Sequence, residues 1–375
     1  MKIVFFVNCS SFFNSHFVKL AGTALMQQYE VYIVAGNELQ KDLFESLGFK
    51  FVFIPLSRGG INILSEFEAF IRIRSVLREI KPDIIHMFTI KPVIYGGLAC
   101  KTLKLSNLKL KVFSITGLGT IALSQRFFSK LLWRLLEKTY SFVFSGSNTA
   151  VIFENTDDKQ LFIVNKLIAP EKAYIVNGAG IDTSLFVPSK FKSEKTTVVL
   201  VARLLQDKGI LEYISAGEIL KYRDCDVKLQ LVGSIDIHNR TSLTQEVIDE
   251  AHKKGYIEYL GQSNNINGIY QKAHIACLPS YREGLPKSLI EAASCGLAII
   301  TTDVPGCRQM IFNSENGLLI PPKKAVPLAD AIEYLVSDPK LIISMGKKSR
   351  EISLRVFDYT VIIDSFFKIY DLGRK

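Results

Sequence analysis

The sequence predicts an α/β protein made of two tandem, Rossmann-like domains, each with a doubly wound parallel sheet. The chain has 375 residues, which is beyond the size at which one hydrophobic core remains economical. Short runs rich in Val, Ile and Phe, without a polar alternate face, recur between helix-like segments, as expected of buried parallel strands. A change in composition near residue 185 separates two series of such runs.

The apolar runs predict the individual strands. In the first series they are Ile3–Val7, Val31–Ala35, Phe51–Ile54, Asp83–Met87, Val112–Ile115, Phe142–Phe144 and Ala173–Val176. In the second series they are Thr197–Ala202, Lys228–Val232, Ile257–Leu260, Ile275–Leu278 and Ala298–Thr301. Parallel sheets of this kind bind ligands at the carboxyl ends of their strands, so we expect the chemistry in those loops, facing an interdomain cleft.

The domain boundaries follow from turn-forming and polar segments. The turn Asn177–Asp182 and the polar stretch Ser189–Thr197 have the composition of a linker. We therefore predict domains at 1–185 and 186–356. The amphipathic segment 357–375 predicts a terminal helix that packs back on the first domain.

Composition restricts the class of protein. Hydrophobic residues make up 48% and charged residues 22%, which predicts a globular chain. The apolar start Ile3–Val7 is interrupted by Asn8, so we interpret it as a strand and not a signal peptide, and no apolar run is long enough to span a bilayer. Six scattered cysteines without a C-x-x-C pair favour reduced thiols in a cytoplasmic protein, with no disulfides and no zinc site.

The charge is unevenly distributed. The net charge is +10, and residues 1–190 hold 22 Lys and Arg against 14 Asp and Glu. Segment 101–150 holds eight basic residues and one acidic residue, Glu137. This bias indicates a phosphorylated substrate, an anionic lipid or a nucleic acid as partner.

One segment has the pattern of a strand, a loop and a helix that together bind an anion. Gly284 allows close backbone approach to a ligand after the strand Ile275–Leu278, and Pro286 pre-sets a first helical turn. Glu283 and Glu291 can both address one ligand, and carboxylates beside a phosphate site suit ribose and sugar hydroxyls. Alternatively, Glu283 caps the helix and Glu291 is an ordinary helix residue.

A second loop carries cations. Arg203 and Lys208 follow the strand Thr197–Ala202, with Gly209 behind them. An Arg fork and a Lys point charge suit a diphosphate, although a solvated loop would have the same composition.

These segments resemble retaining glycosyltransferase family 4, whose donor domain carries R-x4-K and E-x7-E motifs. The resemblance extends over nearly the whole chain, because 176–188 is similar to the family's linker, with one residue more than the usual spacing at Ala179 and Gly180. It implies the GT-B fold. It also implies that Arg203 and Lys208 bind the donor diphosphate.

The resemblance assigns the other donor-site residues as well. Glu291 would bind the ribose and Glu283 the donor sugar. The amides near Gly284, Leu285 and Pro286 would bind phosphate or sugar. The turns at Gly233 and Gly261 correspond to the nucleobase region.

The first domain resembles the capsule and O-antigen subgroup, though the family's Gly-Gly loop is replaced by Cys9–Phe12. His16 is similar to a histidine of enzymes that extend polyprenyl-diphosphate-linked sugars, and it is either catalytic or a structural helix-face residue. Loops after successive strands would hold the acceptor diphosphate. The acceptor candidates are Ser11, Arg58, Lys91, Thr116 and Gly117.

The segment Arg126–Phe144 places Arg126, Lys130, Arg134 and Lys138 on one helical face. It predicts contact with the anionic inner leaflet of the inner membrane, which would make the protein peripheral on its cytoplasmic face. The alternative is an amphipathic core helix with a basic solvent face.

One further motif has the pattern of a metal site but is in the wrong place for one. Asp224 and Asp226 form the D-x-D pattern of the other major glycosyltransferase architecture, but they precede a strand, at the sheet end opposite the predicted cleft. We therefore expect no metal and no other cofactor, because cations and helix-terminal amides can stabilise the departing diphosphate.

The expected activity is transfer of a hexose or N-acetylhexosamine (GalNAc, GlcNAc or Gal) from a UDP-sugar to an undecaprenyl-diphosphate-linked sugar, in O-antigen or capsule biosynthesis. The alternatives are a GDP-sugar donor, or a basic lipid- or RNA-binding protein with a degenerate cleft. A non-hydrolysing epimerase would need its own acid and base residues, and RNA-binding motifs are absent, so we expect no nucleic-acid partner.

Overall fold

The computed structural model describes residues 1–56, 63–118, 127–190, 193–236, 239 and 241–374. The chain forms two compact units. The first comprises Met1–Ala179 and Ile362–Lys375, and the second comprises Gly180–Val361. The division thus falls at Ala179, where the sequence placed it at residue 185, and the chain returns to the first unit at Ile362.

The first unit is built on a parallel sheet. Its strands are β1 (Lys2–Val7), β2 (Glu30–Ala35), β3 (Lys50–Phe53), β4 (Ile84–Phe88), β5 (Leu110–Ile115), β6 (Thr149–Phe153) and β7 (Ala173–Ile175). Their order in the sheet is β3-β2-β1-β4-β5-β6-β7, and every pairing is parallel. The helices between them are α1 (Ser10–Met26), α2 (Lys41–Ser46), α3 (Ile63–Ile80), α4 (Ile90–Thr102), α5 (Phe127–Phe144) and α6 (Thr156–Val164).

Helices on both faces of this sheet explain its apolar strands. In β1, Ile3, Phe5 and Val7 belong to one core, whereas Val4 and Phe6 belong to the core on the opposite face. A strand that is covered on both faces needs apolar residues at every position. The uninterrupted apolar run at the start of the sequence is the result.

The second unit repeats this architecture. Its strands are β8 (Thr197–Val201), β9 (Lys228–Val232), β10 (Glu258–Tyr259), β11 (Ile275–Leu278), β12 (Ala298–Thr302) and β13 (Gly317–Ile320), in the order β10-β9-β8-β11-β12-β13. Its helices are α7 (Ile210–Tyr222), α8 (Gln245–Lys253), α9 (Ile266–Lys272), α10 (Lys287–Ser294), α11 (Ala325–Val336) and α12 (Pro339–Ile352), followed by a π-helical turn at Ser353–Phe357.

The last helix, α13 (Tyr359–Tyr370), carries the chain back to the first unit. Phe366 packs edge-on against Phe17 of α1, with ring centroids 6.1 Å apart. The hydroxyl of Tyr370 lies 2.6 Å from Nδ1 of His86, which is fully buried in β4. The terminal segment is therefore part of the first unit's core.

Two features of the predicted secondary structure need correction. Phe142–Phe144, predicted as a strand, is the end of α5, because Tyr140, Val143 and Phe144 form one buried helical face. The strand of this region is β6, which the prediction omitted together with β13. A short apolar run does not distinguish a strand from the buried end of a helix.

No helix in the described part of the chain is long and apolar enough to cross a membrane.

Candidate active site

The loop after β8 is held close to the loop after β11. Lys208 ends a 3-10 turn, and Gly209 follows in the left-handed conformation at φ +73°. A Cβ atom at Gly209 would overlap the carbonyl group of Pro279. The amide of Tyr281 donates to the carbonyl oxygen of Asp207 at 2.9 Å. The glycine thus permits backbone contact between two loops at the carboxyl edge of the sheet.

This contact brings a predicted cation and a predicted carboxylate together. Nζ of Lys208 lies 2.5 Å from Oε1 of Glu283, and Ser280 Oγ donates to the same oxygen at 2.6 Å. Only 19% of the Lys208 side chain and 13% of the Glu283 side chain are exposed. Ser280, which the sequence did not single out as a site residue, is fully buried, and its hydrogen bond helps to hold the carboxylate in place.

The loop after β12 forms another side of the site. The amide of Glu283 donates to the carbonyl oxygen of Pro305 at 3.2 Å. Gly306 has φ +79°, and a Cβ atom there would overlap the backbone of Glu283 and Gly284. The Pro-Gly pair at this strand end is a turn signal that could have identified the loop from sequence.

Glu291 lies on α10, the helix that follows. Its carboxylate is 3.6 Å from Nζ of Lys287, one turn earlier, and only 15% of its side chain is exposed. Burial raises the pKa of Glu291 above its ordinary value, and Lys287 opposes this shift. A buried carboxylate costs free energy unless something hydrogen-bonds to it, which is consistent with a site for ligand hydroxyls.

The start of α10 differs by one residue from the prediction. The helix begins at Lys287, so Pro286 is the residue before it, with φ −74°, and does not occupy the first helical turn. The Leu285 side chain is 8% exposed and belongs to the hydrophobic core, so only its backbone can face a ligand.

Arg203 has a partner that sequence reasoning missed. Its guanidinium lies 2.8 Å from the Asp236 carboxylate, and 56% of its side chain is exposed. The structure therefore pairs Lys208 with Glu283 and Arg203 with Asp236. The two cations do not share one partner.

The predicted nucleobase turns adjoin each other. Gly233, after β9, donates its amide to the carbonyl oxygen of Gly261 at 2.9 Å. Gly233 has φ +151°, and a Cβ atom there would overlap the carbonyl oxygen of Ala202. Gly261, with φ +70°, has no heavy atom within 4 Å of a built Cβ position, which leaves open space at that turn.

Four of the five acceptor candidates, Ser11, Lys91, Thr116 and Gly117, lie at the carboxyl ends of the neighbouring strands β1, β4 and β5. Ser11 is in the first turn of α1, which starts directly after β1 and leaves no extended loop. His16, on the same helix, has Nδ1 3.0 Å from the carbonyl oxygen of Phe12 and 2.7 Å from Ser15 Oγ. Its ring stacks on Phe12 with a centroid distance of 4.4 Å, so it has structural contacts whatever its role in catalysis.

Lys91, after β4, is paired with a carboxylate. Its Nζ lies 2.5 Å from Glu66, and both side chains are largely buried. Two residues earlier, Thr89 has φ +69°, an unusual conformation for a β-branched residue, and it donates to Asn8 at 3.2 Å. Backbone strain of this kind concentrates at functional sites.

Thr116 and Gly117 follow β5, and both are half-buried. Arg58 and Arg126 lie outside the described residues, as does the Lys130 side chain. On the described part of α5, Arg134 and Lys138 are exposed beside the exposed side chains of Leu131 and Leu135.

The D-x-D pair lies at the amino ends of the strands. Asp224 and Asp226 precede β9, away from the edge that carries Lys208 and Glu283, and Asp226 is paired with Lys195 at 2.6 Å. Within the described ranges, no group of three His, Cys, Asp or Glu residues is arranged to hold a metal ion.

The second unit places Arg203, Lys208 and Glu283 in loops at the strand ends of a Rossmann-like sheet, and it places the largely buried carboxylate of Glu291 on the helix that follows one of these loops. Cations can hold a diphosphate, and carboxylates can accept hydrogen bonds from sugar hydroxyls. The fold is that of the GT-B class. The Anabaena protein Alr3699/HepE, solved in complex with UDP, superposes with a TM-score of 0.77 at 17% identity and covers 99% of this chain and 100% of its own.

Two family models match the chain. The model described as "Glycosyl transferases group 1" matches residues 182–352, and "Glycosyl transferase 4-like" matches residues 2–155. The chain therefore consists of a glycosyltransferase 4-like domain followed by a glycosyltransferase group 1 domain.

The chain is also similar to bacterial enzymes. It is 28% identical over 355 residues to the N,N'-diacetylbacillosaminyl-diphospho-undecaprenol alpha-1,3-N-acetylgalactosaminyltransferase of Campylobacter jejuni, with 91% of each chain covered. It is 24% identical over 332 residues to the UDP-Gal:alpha-D-GlcNAc-diphosphoundecaprenol alpha-1,3-galactosyltransferase of Escherichia coli, covering 85% of this chain and 82% of that protein.

Proposed function

We propose that the protein is a retaining glycosyltransferase that moves GalNAc, GlcNAc or galactose from a UDP-sugar to a polyprenyl-diphosphate-linked sugar in surface-polysaccharide assembly. The main support is the contact of Lys208 and Ser280 with Glu283 at the carboxyl edge of the second sheet. The two bacterial relatives support the choice of substrates, since both names specify a lipid-diphosphate acceptor and one specifies a UDP-sugar.

In this proposal Arg203 and Lys208 neutralise the donor diphosphate. Arg203 would exchange Asp236 for the phosphate oxygens, which its exposure permits. Glu291 accepts hydrogen bonds from the ribose hydroxyls, and Gly233 and Gly261 border the nucleobase. Glu283 orients the donor sugar, and Gly284 allows close approach of the backbone.

The sugar leaves through an oxocarbenium-like state on the face of the departing phosphate, so the anomeric configuration is retained. The bond from the anomeric carbon to the phosphate oxygen breaks, and a bond to the acceptor oxygen forms. The departing phosphate oxygen takes the acceptor proton. Glu283 is a positioning group and forms no covalent adduct, and the cations supply the electrostatic stabilisation without a divalent metal.

Ser11, Lys91, Thr116 and Gly117, with Arg58, would hold the acceptor diphosphate. Lys91 supplies the charge, and it would have to share or leave Glu66. His16 is a candidate for contact with the acceptor hydroxyl. Contact of Arg126–Phe144 with the anionic inner leaflet would place the enzyme beside its lipid-linked acceptor, and the exposed pairs Arg134/Lys138 and Leu131/Leu135 suit this role.

A donor panel tests the proposal. Nucleotide release is measured from UDP-, GDP- and ADP-sugars with and without a prenyl-diphosphate-linked sugar, in the presence of EDTA, and the product anomer is assigned by NMR. We expect acceptor-dependent release of UDP and retained configuration. Release of GDP only would contradict the UDP-sugar donor, and an inverted product would contradict retention of configuration. Complete loss of activity in EDTA would contradict transfer without a divalent metal. No release from any donor, combined with binding to anionic vesicles, would favour a lipid-binding protein.

A further inference from the structure

Three lysines surround an exposed loop at the amino edge of the first sheet, opposite the edge that carries the acceptor candidates. Lys101 lies in the last turn of α4, Lys111 is the second residue of β5, and Lys172 lies in the turn before β7. The loop is 145–147, and it is exposed to solvent. We call these three lysines and the loop the lysine cradle.

The polar atoms of the cradle converge on Gly146. A Cβ atom built on Gly146 would lie 3.4 Å from Nζ of Lys111, 3.7 Å from Nζ of Lys101 and 4.0 Å from Oγ1 of Thr149. Because this residue is a glycine, at φ +113°, no side chain fills that point. Two ammonium groups and one hydroxyl therefore border the same open space.

Sheet pairing fixes two of these groups. Lys111 and Thr149 are directly paired residues of the parallel strands β5 and β6, so their side chains leave the sheet on the same face. The Lys111 backbone amide donates to the carbonyl oxygen of Asn148 at 2.9 Å. The backbone of Lys111 is thus held in a strand of the sheet.

Two of the lysines are partly satisfied by the loop. Lys101 donates to the carbonyl oxygen of Ser145 at 2.6 Å and to its hydroxyl at 2.5 Å. Lys172 donates to the carbonyl oxygen of Gly146 at 2.7 Å. An ammonium group has three N–H donors, so both lysines keep donors for a further partner.

Lys111 and Thr149 are not satisfied. Lys111 is only 8% exposed, and within the described ranges no carboxylate lies within 4 Å of any of the three ammonium nitrogens. Thr149 Oγ1 is buried without a hydrogen-bond partner among the described residues. The neighbouring thiol supplies no negative charge, since burial raises the pKa of Cys100 to about 12. A buried ammonium without a counter-ion is costly.

Burial and the other two lysines lower the pKa of Lys111. Like charges held this close favour an anion of charge −2 over a monovalent one.

We infer that the lysine cradle binds a tetrahedral oxyanion, namely a phosphate or phosphate monoester, whose oxygens accept from Lys101, Lys111, Lys172 and the Thr149 hydroxyl. This site is separate from donor and acceptor binding and does not depend on the proposed transferase activity. The phosphate is either free in solution or the headgroup of a lipid.

The test uses the full chain with saturating UDP, so that a diphosphate site in the second unit is occupied. Thermal unfolding is followed while inorganic phosphate is added in a phosphate-free buffer. The variant is Lys111→Met, which keeps the length of the side chain and removes the charge. The matched control is Lys104→Met, which removes an exposed charge from the same segment.

We expect phosphate to raise the unfolding temperature of the wild type and of Lys104→Met, and to bind Lys111→Met at least about tenfold more weakly. Without phosphate, the unfolding temperature of Lys111→Met should be no lower than that of the wild type, because one of three like charges has been removed. Lys101→Gln serves as the second variant if Lys111→Met does not fold, and the same loss is expected.

A second arm distinguishes the source of the phosphate. Binding to phosphatidylcholine vesicles that contain phosphatidic acid is compared for the same proteins. Binding to these vesicles that depends on Lys111, without a response to free phosphate, identifies a lipid headgroup. An equal phosphate response in all variants, or no Lys111-dependent binding in either arm, overturns the inference.

Discussion

Nζ of Lys208 lies 2.5 Å from Oε1 of Glu283, and this ion pair joins the loops that follow β8 and β11. Both side chains are largely buried, and Ser280 donates to the same carboxylate oxygen. Lys208 and Glu283 are therefore already paired with each other when no ligand is bound. A donor diphosphate would compete with Glu283 for Lys208, and a sugar hydroxyl would compete with Lys208 for Glu283.

Arg203 and Asp236 should have opposite effects on nucleotide binding. Arg203→Ala removes a guanidinium that would hold the diphosphate, and we expect UDP to bind roughly tenfold or more weakly. Asp236→Asn removes the carboxylate that now occupies Arg203, and we expect tighter binding at low salt, with the gain shrinking as ionic strength rises. Isothermal titration with UDP at two salt concentrations measures both. Unchanged affinity in Arg203→Ala would remove this residue from the donor site.

Glu291→Gln should stabilise the protein while weakening nucleotide binding. Burial raises the folded-state pKa of Glu291 above 4.5, so this carboxyl lowers the unfolding free energy increasingly as pH rises from about 4.5 through that raised pKa. The neutral amide avoids this cost. We expect the variant to melt roughly 2–4 °C higher at pH 7, with the difference disappearing towards pH 4.5. UDP titration should show weaker binding, and unchanged UDP affinity would contradict the role in ribose recognition.

Gly209 and Gly261 offer a matched pair of glycine substitutions. Both have φ near +70°, but a Cβ atom at Gly209 would overlap Pro279 and one at Gly261 meets nothing within 4 Å. Gly261→Ala should cost about 1–2 kcal/mol of backbone strain. Gly209→Ala should cost more than about 3 kcal/mol and also reduce turnover, because Lys208 is displaced. Urea unfolding compares the two, and equal costs would show that the two loops do not pack as described.

His86 should make the first unit acid-sensitive. It is fully buried between the Tyr370 hydroxyl at 2.6 Å and the Ser114 hydroxyl at 2.7 Å, and burial holds its pKa well below 6.5. As the pH falls below about 6.5, His86 becomes protonated in the unfolded state but stays neutral in the folded state. The free energy of unfolding therefore decreases over this range. His86→Asn should be less stable at pH 7.5 and should lose less between pH 7.5 and 5.5. Parallel pH dependence in both proteins would contradict this role.

The sequence predicted the fold because buried parallel strands and their loops leave a local signal. Lys228–Val232 and Ile275–Leu278 match β9 and β11 to the residue. The prediction of a strand at Phe142–Phe144 was wrong because three apolar residues fit both a strand and a helix end. The strand β6 begins with Thr149 and follows a polar loop, so it lacked the uninterrupted apolar start of its neighbours.

The partners of the site residues could not be predicted from local patterns. Lys208 and Glu283 are 75 residues apart, and they meet because β11 lies beside β8 in the sheet, which is a matter of strand order. Asp236 reaches Arg203 from the loop after β9 for the same reason. The contact of Gly209 with Pro279 depends on backbone atoms, which residue identities do not reveal.

The most direct test of the central claim is acceptor-dependent UDP release by wild type, Glu283→Gln and Glu333→Gln. Glu333, an exposed residue of α11 that pairs with Arg223, serves as the control. We predict that Glu283→Gln loses roughly a hundredfold or more in kcat while it keeps most of its UDP affinity, and that Glu333→Gln behaves like wild type. Full turnover in Glu283→Gln, or a glycosyl group covalently trapped on Glu283 in the wild type, would contradict its assignment as the group that orients the donor sugar.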